Sequence, residues 1–273
     1  MPSTVNATKP YPTYFVGHAG VGLLFNDSIN NKTVQANLKE IGQEILSLSP
    51  RPKALVVFSG HFEAGEIHGT GVIEVNVKRE TYIQHDFVND FHDTHPFVYN
   101  YTWSHTDDPT QATQIWQKLR NAGIKAKRVD HGVDHGVWVP FKIMIPEETP
   151  LDIPVIRVST FHGYDLGSGG RFGWGRFWGS YDEEREATRA KVLAESKAFD
   201  KHLRAAVTKK SAKERSEALL KLEDLYEFKR SHPTVEHFTP LWVAAGAAGD
   251  AEVEPLGVDI VEPGMSYLNL RFA

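Results

Sequence analysis

The fold is decided by the stretch from residue 33 to residue 61, TVQANLKEIGQEILSLSPRPKALVVFSGH. Thr33 to Leu48 has apolar residues at helical spacing and ends before Pro50, whereas Ala54 to Phe58 is a continuous apolar run typical of a buried strand. A second apolar run, Thr13 to Gly17, precedes the helix. The order strand, helix, strand predicts the opening of a parallel sheet with right-handed crossovers.

The remaining sequence continues this alternation. Strands are predicted at 71–77, 125–129, 153–159 and 266–272, and helices at 111–122, at 183–228 with a charged break at 209–210, and at 236–247. The segment 131–138 is predicted as a loop. No repeat or linker interrupts the pattern, so we expect one catalytic domain over residues 1–273, with an α/β fold. Its sheet should be mixed and mostly parallel, flanked by helices, with a metal site at the carboxyl ends of the strands.

The composition excludes several classes of protein. The 273 residues include no Cys and 13 His, so disulfide scaffolds, Cys-type zinc fingers, iron–sulfur clusters and cysteine nucleophiles are ruled out. With 30 Lys and Arg against 35 Asp and Glu, the formal net charge of −5 argues against a general nucleic-acid binder. No apolar run approaches the ~20 residues of a membrane span, and the first residues lack a signal-peptide pattern. We therefore expect a cytoplasmic protein with no membrane partner.

Four histidines lie where chemistry is expected. His18 and His61 each follow a buried strand and a glycine, at the edge where α/β sheets bind ligands. His135 lies in a glycine-containing HGVDHG segment, and His237 lies at the start of the last helix, with Thr234 as its predicted N-cap. Neutral imidazoles from distant segments suit a catalytic Zn(II) or a non-haem Fe(II). The spacing matches no local motif and leaves the choice of ligands open.

Five motifs, in order along nearly the whole chain, carry a resemblance to a known family. They are FVGH at 15–18, VFSGHFE at 57–63, VDHGVWVP at 133–140, IPVIRVS at 153–159 and HPTVEHFTPL at 232–241. This series resembles the class III extradiol ring-cleavage dioxygenases, which are LigB-like enzymes, and is most similar to their 4,5-DOPA dioxygenase branch. The resemblance implies an oxidoreductase that opens a small aromatic diol such as L-DOPA with O2.

The same resemblance implies a role for each of the four histidines. His18, His61 and His237 would be metal ligands, and His135 would act on the substrate. LigB relatives use a glutamate as the third ligand, and Glu236 stands beside His237, but the intact Pro-Thr-x-Glu-His pattern favours the histidine. Fe(II) is expected for dioxygenase activity, and Zn(II) could occupy the same site.

Four further residues are candidates for substrate contact or for hydrogen bonds to the ligands. They are Glu63, His131, Trp138 and His232. Aromatic residues in such segments are more often packing residues than pocket walls, so Trp138 has a plainer alternative in the core.

One departure from the family pattern bears on activity. After Leu166 a helix-plus-strand piece is missing relative to the family, which places Gly173 where the family has a second acid–base histidine. His162 is the nearest substitute in the sequence. Because such a group typically contributes ~10²- to 10⁴-fold to the rate, we expect a weak or altered activity.

Three other functions remain open from the sequence. The chain could be a catalytically silent zinc-binding protein of the same fold, or a zinc hydrolase with His135 or Glu63 as general base. It could also be a small-molecule-binding α/β domain whose histidines are hydrogen-bonded in the core. The last predicts no bound metal and no loss of stability with a chelator.

Overall fold

The computed structural model describes residues 10–17, 20–25, 28–64, 72–78, 83, 96–149, 151–161, 183–232, 235–257, 259–263 and 265–273. The strands are β1 (Thr13–Val16), β2 (Leu55–Ala64), β3 (Ile73–Asn76), β4 (Ala126–Val129), β5 (Val155–Phe161), β6 (Val253–Leu256), β7 (Val261–Glu262), β8 (Met265–Ser266) and β9 (Asn269–Phe272). The helices are α1 (Ile29–Ser47), α2 (Pro109–Asn121), α3 (His135–Met144), α4 (Glu183–Val207), α5 (Ala212–Lys221), α6 (Tyr226–Ser231) and α7 (Thr239–Ala248).

Four of the described strands form a mixed sheet, as expected for the α/β class. Its order is β2-β5-β3-β4, in which β2 pairs with β5 and β3 with β4 in parallel, whereas β3 pairs with β5 antiparallel. The first strand differs from the expectation that it would open a parallel sheet together with β2. Within the described residues, β1 pairs antiparallel with β9 in a three-stranded sheet of order β1-β9-β6, with Thr13 opposite Phe272.

The helices α1 and α2 form close to the predicted ranges 33–48 and 111–122, and they begin four and two residues earlier than predicted. The Asp108 carboxylate accepts hydrogen bonds from the backbone N–H groups of Thr110 and Gln111 at the start of α2, and Gly123 follows its end with φ of +80°. The predicted long helix is interrupted at the charged break. A capping box between Ser211 and Glu214 then starts α5.

The prediction of a loop over 131–138 is wrong in its second half, because α3 begins at His135. The backbone carbonyl of Asp134 accepts the N–H groups of Val137 at 3.0 Å and Trp138 at 3.1 Å. Two features conceal this helix in the sequence. Pro140 lies inside it, and most of its residues are buried, so no polar face produces a helical period.

Two main apolar cores position the site. The α1–α3 core packs α1 against α3 and β2 and contains Leu38 and Trp138, both with 0% exposure. The α4–α7 core joins the last four helices to β9 and contains Phe228 and Leu241, also with 0% exposure. Among the helices that the structure describes, none is both long and apolar enough to cross a membrane.

Candidate active site

His61 lies on a bulge inside β2, and not beyond the end of the strand as the sequence predicted. The pairing with β5 places Ser59 opposite Ser159 and then Glu63 opposite Thr160, so residues 60–62 are extra on the β2 side. A bulge bends the strand locally and redirects the side chains that it carries. The strand β2 therefore continues past His61, and His61 lies in the bulged part of this strand.

His135 and His237 are carried by the beginnings of two helices. His135 is the first residue of α3. His237 lies in the turn before α7, which begins at Thr239 and therefore starts three residues later than predicted. In this turn, the carbonyl of Val235 accepts the backbone N–H groups of Phe238 and Thr239, both at 2.9 Å. His237 is thus fixed by backbone hydrogen bonds just outside a helix.

The three imidazoles meet, with His61 in the middle. The ring centroids of His61 and His135 are 3.9 Å apart, and those of His61 and His237 are 4.9 Å apart. The Nε2 atoms of His61 and His237 are separated by 3.3 Å. The structure therefore brings together three of the four predicted residues from segments that are far apart in the sequence.

Two glycines allow this close assembly. A Cβ atom on Gly60 would lie 2.8 Å from the carbonyl oxygen of Glu236 and 3.4 Å from the Cα atom of His237. A Cβ atom on Gly136 would lie 3.1 Å from Cδ2 of His61 and 2.9 Å from Oδ1 of Asp134. Real side chains rarely tolerate such distances, so both positions need glycine for the approach itself.

A buried polar network lies behind the histidines, and sequence reasoning missed it. The hydroxyl of Ser59 donates to Oδ1 of Asp134 at 2.5 Å and accepts the backbone N–H of His61 at 3.1 Å. The guanidinium of Arg157, 1% exposed, donates to the Asp107 carboxylate at 3.2 Å. Burial lowers the pKa of Arg157, and the carboxylates of Asp107 and Asp134 oppose that shift. A charged residue inside the apolar run 153–159 was the available signal.

A carboxylate also stands beside His237. Oε1 of Glu236 is 3.3 Å from Nδ1 of His237, on the opposite side of the ring from the Nε2 atom that faces His61. A carboxylate at one ring nitrogen commonly orients an imidazole that binds metal through the other. In this geometry Glu236 is placed behind the histidine, which supports the choice of His237 over Glu236 as the ligand.

The His61–His237 pair fits the requirements of a bound divalent metal. Two imidazole nitrogens at ~2.0–2.1 Å from a tetrahedral metal are separated by about 3.3–3.4 Å. The observed separation of the two Nε2 atoms is 3.3 Å. Among the described residues, no three His, Asp or Glu side chains surround one metal-sized point. The third predicted ligand, His18, lies outside the described residues.

Two of the further candidates lie close to His61. Glu63 follows the bulge and stands opposite Thr160 on β5. The imidazole of His131 stacks on the ring of Phe62 with centroids 4.0 Å apart, and the His131 backbone N–H donates to Oδ1 of Asn76 at 2.9 Å. His131 therefore packs against the residue next to His61.

The other two candidates pack in the apolar cores. Trp138 has 0% exposure in the α1–α3 core, which favours packing over substrate contact. The imidazole of His232 lies among Phe199, Phe228 and Phe238, with centroids 5.0 to 5.2 Å away. Burial, followed by the nearby charge of His237, lowers the pKa of His232 to about 4. The neutral imidazole of His232 therefore packs against Phe238, the residue that follows His237.

Several predictions fall on residues outside the described part of the chain. These are the predicted ligand His18, the predicted cap Thr234, and residues 162–173, which include His162 and Gly173. They stay predictions.

The matched family defines the class of this protein. The model of the catalytic LigB subunit of aromatic ring-opening dioxygenase matches residues 13–170, more than half of the chain. The chain therefore belongs to this family, as the sequence motifs indicated. The matched range includes His18, His61 and His135, whereas His237 lies beyond it.

Individual relatives agree with this assignment over nearly the full length. The chain is 29% identical over 277 residues to "4,5-DOPA dioxygenase extradiol" of Beta vulgaris, covering 95% of this chain and 96% of the relative. It is 28% identical to "4,5-DOPA dioxygenase extradiol-like protein" of Schizosaccharomyces pombe, covering 90% and 88%. An uncharacterized protein of Escherichia coli K12 shares the fold with a TM-score of 0.62 at 18% identity, covering 97% and 100%.

Proposed function

We propose that this chain is a non-haem metal-dependent extradiol dioxygenase that opens the ring of a catechol such as L-DOPA with O2. The observation that supports it is the approach of the His61 and His237 Nε2 atoms to 3.3 Å, with His135 against His61. The names of the relatives support the substrate class, and the family's dependence on a non-haem metal supports the cofactor. We propose His18 as the third ligand.

The proposed chemistry divides between the metal and the protein. A bound Fe(II) would supply Lewis-acid activation of the diol and a common binding point for diol and O2. Both oxygen atoms enter the product, the ring bond beside the diol breaks, and the diol supplies the four electrons that O2 takes up. The imidazole of His135, beside His61, would accept a proton from the substrate hydroxyl, since imidazoles exchange protons near neutral pH.

The experiment is reconstitution under defined metal conditions. Protein stripped of metal is loaded with Fe(II) without oxygen and then mixed with L-DOPA and air, and the yellow semialdehyde is followed by its absorbance. We expect product with Fe(II) and none without it. His61→Gln should abolish product, whereas His202→Gln, which changes an exposed histidine on α4, should not. No product with any small catechol would refute the proposal.

A silent zinc protein of the same fold is the second candidate, because the Nε2 separation suits tetrahedral zinc. Metal analysis of protein purified without added iron distinguishes the two. Bound zinc together with no activity after exchange to Fe(II) would favour the silent protein.

A further inference from the structure

Asp134 occupies a position that joins two of the histidine-bearing segments. It is 1% exposed, and its backbone carbonyl starts α3, whose first residue is His135. Its carboxylate accepts the hydroxyl of Ser59, which in turn holds the backbone N–H of His61. One residue therefore contacts the start of α3 through its backbone and the β2 bulge through its side chain.

The direction of this carboxylate is unusual for its place. An aspartate before a helix normally accepts the N–H groups of the first turn with its side chain. The Asp134 side chain makes no such capping bond and points to Ser59, 75 positions earlier in the sequence. Departures from a local sequence rule are expected mainly at sites where function requires a particular geometry.

A buried guanidinium lies near Asp134. The guanidinium of Arg157 lies close enough for its pKa to respond to Asp134, and it is held in place by Asp107 and by the carbonyl of His131. A hydrogen bond from a hydroxyl to a carboxylate is stronger than one to a neutral oxygen, and burial in a low-dielectric interior strengthens it further. The Ser59–Asp134 bond is thus well suited to fix a geometry.

We propose that Asp134 is a positioning residue, which acts through Ser59 to hold the imidazole of His61 against that of His135. This inference rests on the proposed function, because it assigns to Asp134 the task of preparing the proposed metal and acid–base groups. Partners that orient metal ligands are typically worth about 10- to 100-fold in metal affinity.

The test compares Ser59→Ala, Asp134→Ala and the double variant. Co(II) affinity is measured by absorption titration, and the histidine nitrogens of the metal-free proteins are observed by NMR. We expect each single variant to lose about 10- to 100-fold in Co(II) affinity and to shift the ring signals of His61 and His135. Because both residues act through one hydrogen bond, the double variant should lose little more than either single variant.

Two further variants separate positioning from general stability. Asp134→Asn keeps an acceptor oxygen and should recover part of the affinity lost in Asp134→Ala. Asp200→Ala removes another buried carboxylate, one that holds Ser266 at 2.8 Å, and should leave Co(II) affinity and the ring signals unchanged. Ser59→Ala is the smaller change and decides the question if Asp134→Ala does not fold.

The outcomes distinguish this inference from the proposed function. Folded variants with wild-type Co(II) affinity and unmoved ring signals, or fully additive losses, would overturn the role of Asp134. A wild-type protein that takes up no Co(II) would count against the proposed metal site, and the ring signals of the metal-free variants would then decide the role of Asp134 alone.

Discussion

Replacing Gly60 with alanine tests whether the histidine cluster depends on the close approach of two backbone segments. The new Cβ would lie 2.8 Å from the Glu236 carbonyl oxygen and 3.4 Å from the Cα atom of His237. Carbon atoms pack at ~3.5–4.0 Å, so the segment that carries His237 must move back by about 0.5 Å or more. Metal-binding groups need placement within about 0.5 Å, so this displacement is large enough to matter.

The expected magnitudes follow from that displacement. Widening the 3.3 Å separation between the His61 and His237 Nε2 atoms should weaken Co(II) binding by about tenfold, equivalent to ~1.4 kcal/mol. Overpacking at such a contact typically lowers the free energy of unfolding by about 1–3 kcal/mol. The first quantity is measured by absorption titration with Co(II), and the second by urea unfolding.

Gly246→Ala is the matched control for Gly60→Ala. Gly246 lies inside α7, and among the described residues outside its own helix backbone nothing comes within 4 Å of its added Cβ. This variant should gain about 0.5–1 kcal/mol from helix propensity and bind Co(II) like the wild type. Equal Co(II) affinity in the two variants would refute the reasoning that the approach at Gly60 builds the site.

Two further predictions concern stability. Because burial lowers the pKa of His232 to about 4 from 6.5, the folded state should lose about 3 kcal/mol relative to the unfolded state as the pH falls from 6.5 to 4. His232→Phe should remove that part of the acid slope in urea unfolding, and an unchanged slope would contradict the assignment. The guanidinium of Arg215 donates to the carbonyls of Val207, Lys209, Gly249 and Ala251. Arg215→Met should cost about 3 kcal/mol or more in urea unfolding, because four buried or partly buried carbonyls lose their donor, and a loss under ~0.5 kcal/mol would contradict this.

The sequence predicted the elements whose signals are local. The helix α2 has a capping aspartate, a proline at its start and Gly123 beyond its end, and all of these act within a few residues. The pairing of β1 with β9 has no such signal, because Thr13 and Phe272 meet only after the chain has folded. The bulge in β2 is equally hidden, since it is defined by the register with β5.

The histidines of the candidate site could be selected from the sequence, whereas the residues that hold them in place could not. The position of His61 after an apolar run and a glycine marked it from the sequence, and the family motifs marked His135 and His237. The bond between Ser59 and Asp134 joins residues 75 positions apart and depends on how α3 packs on β2. Side-chain partnerships of this kind are set by tertiary packing, which no local pattern encodes.

The placement of the three imidazoles across two apolar cores would link occupancy of the proposed metal site to the cooperativity of unfolding. His135 precedes residues of the α1–α3 core, whereas His237 stands between Val235 and Phe238 of the α4–α7 core. A cation held by His61 and His237 would join the two cores and stabilise their docked arrangement by a free energy that grows with its concentration. The α1–α3 core and the α4–α7 core would then unfold together when the cation is bound and more independently when it is absent.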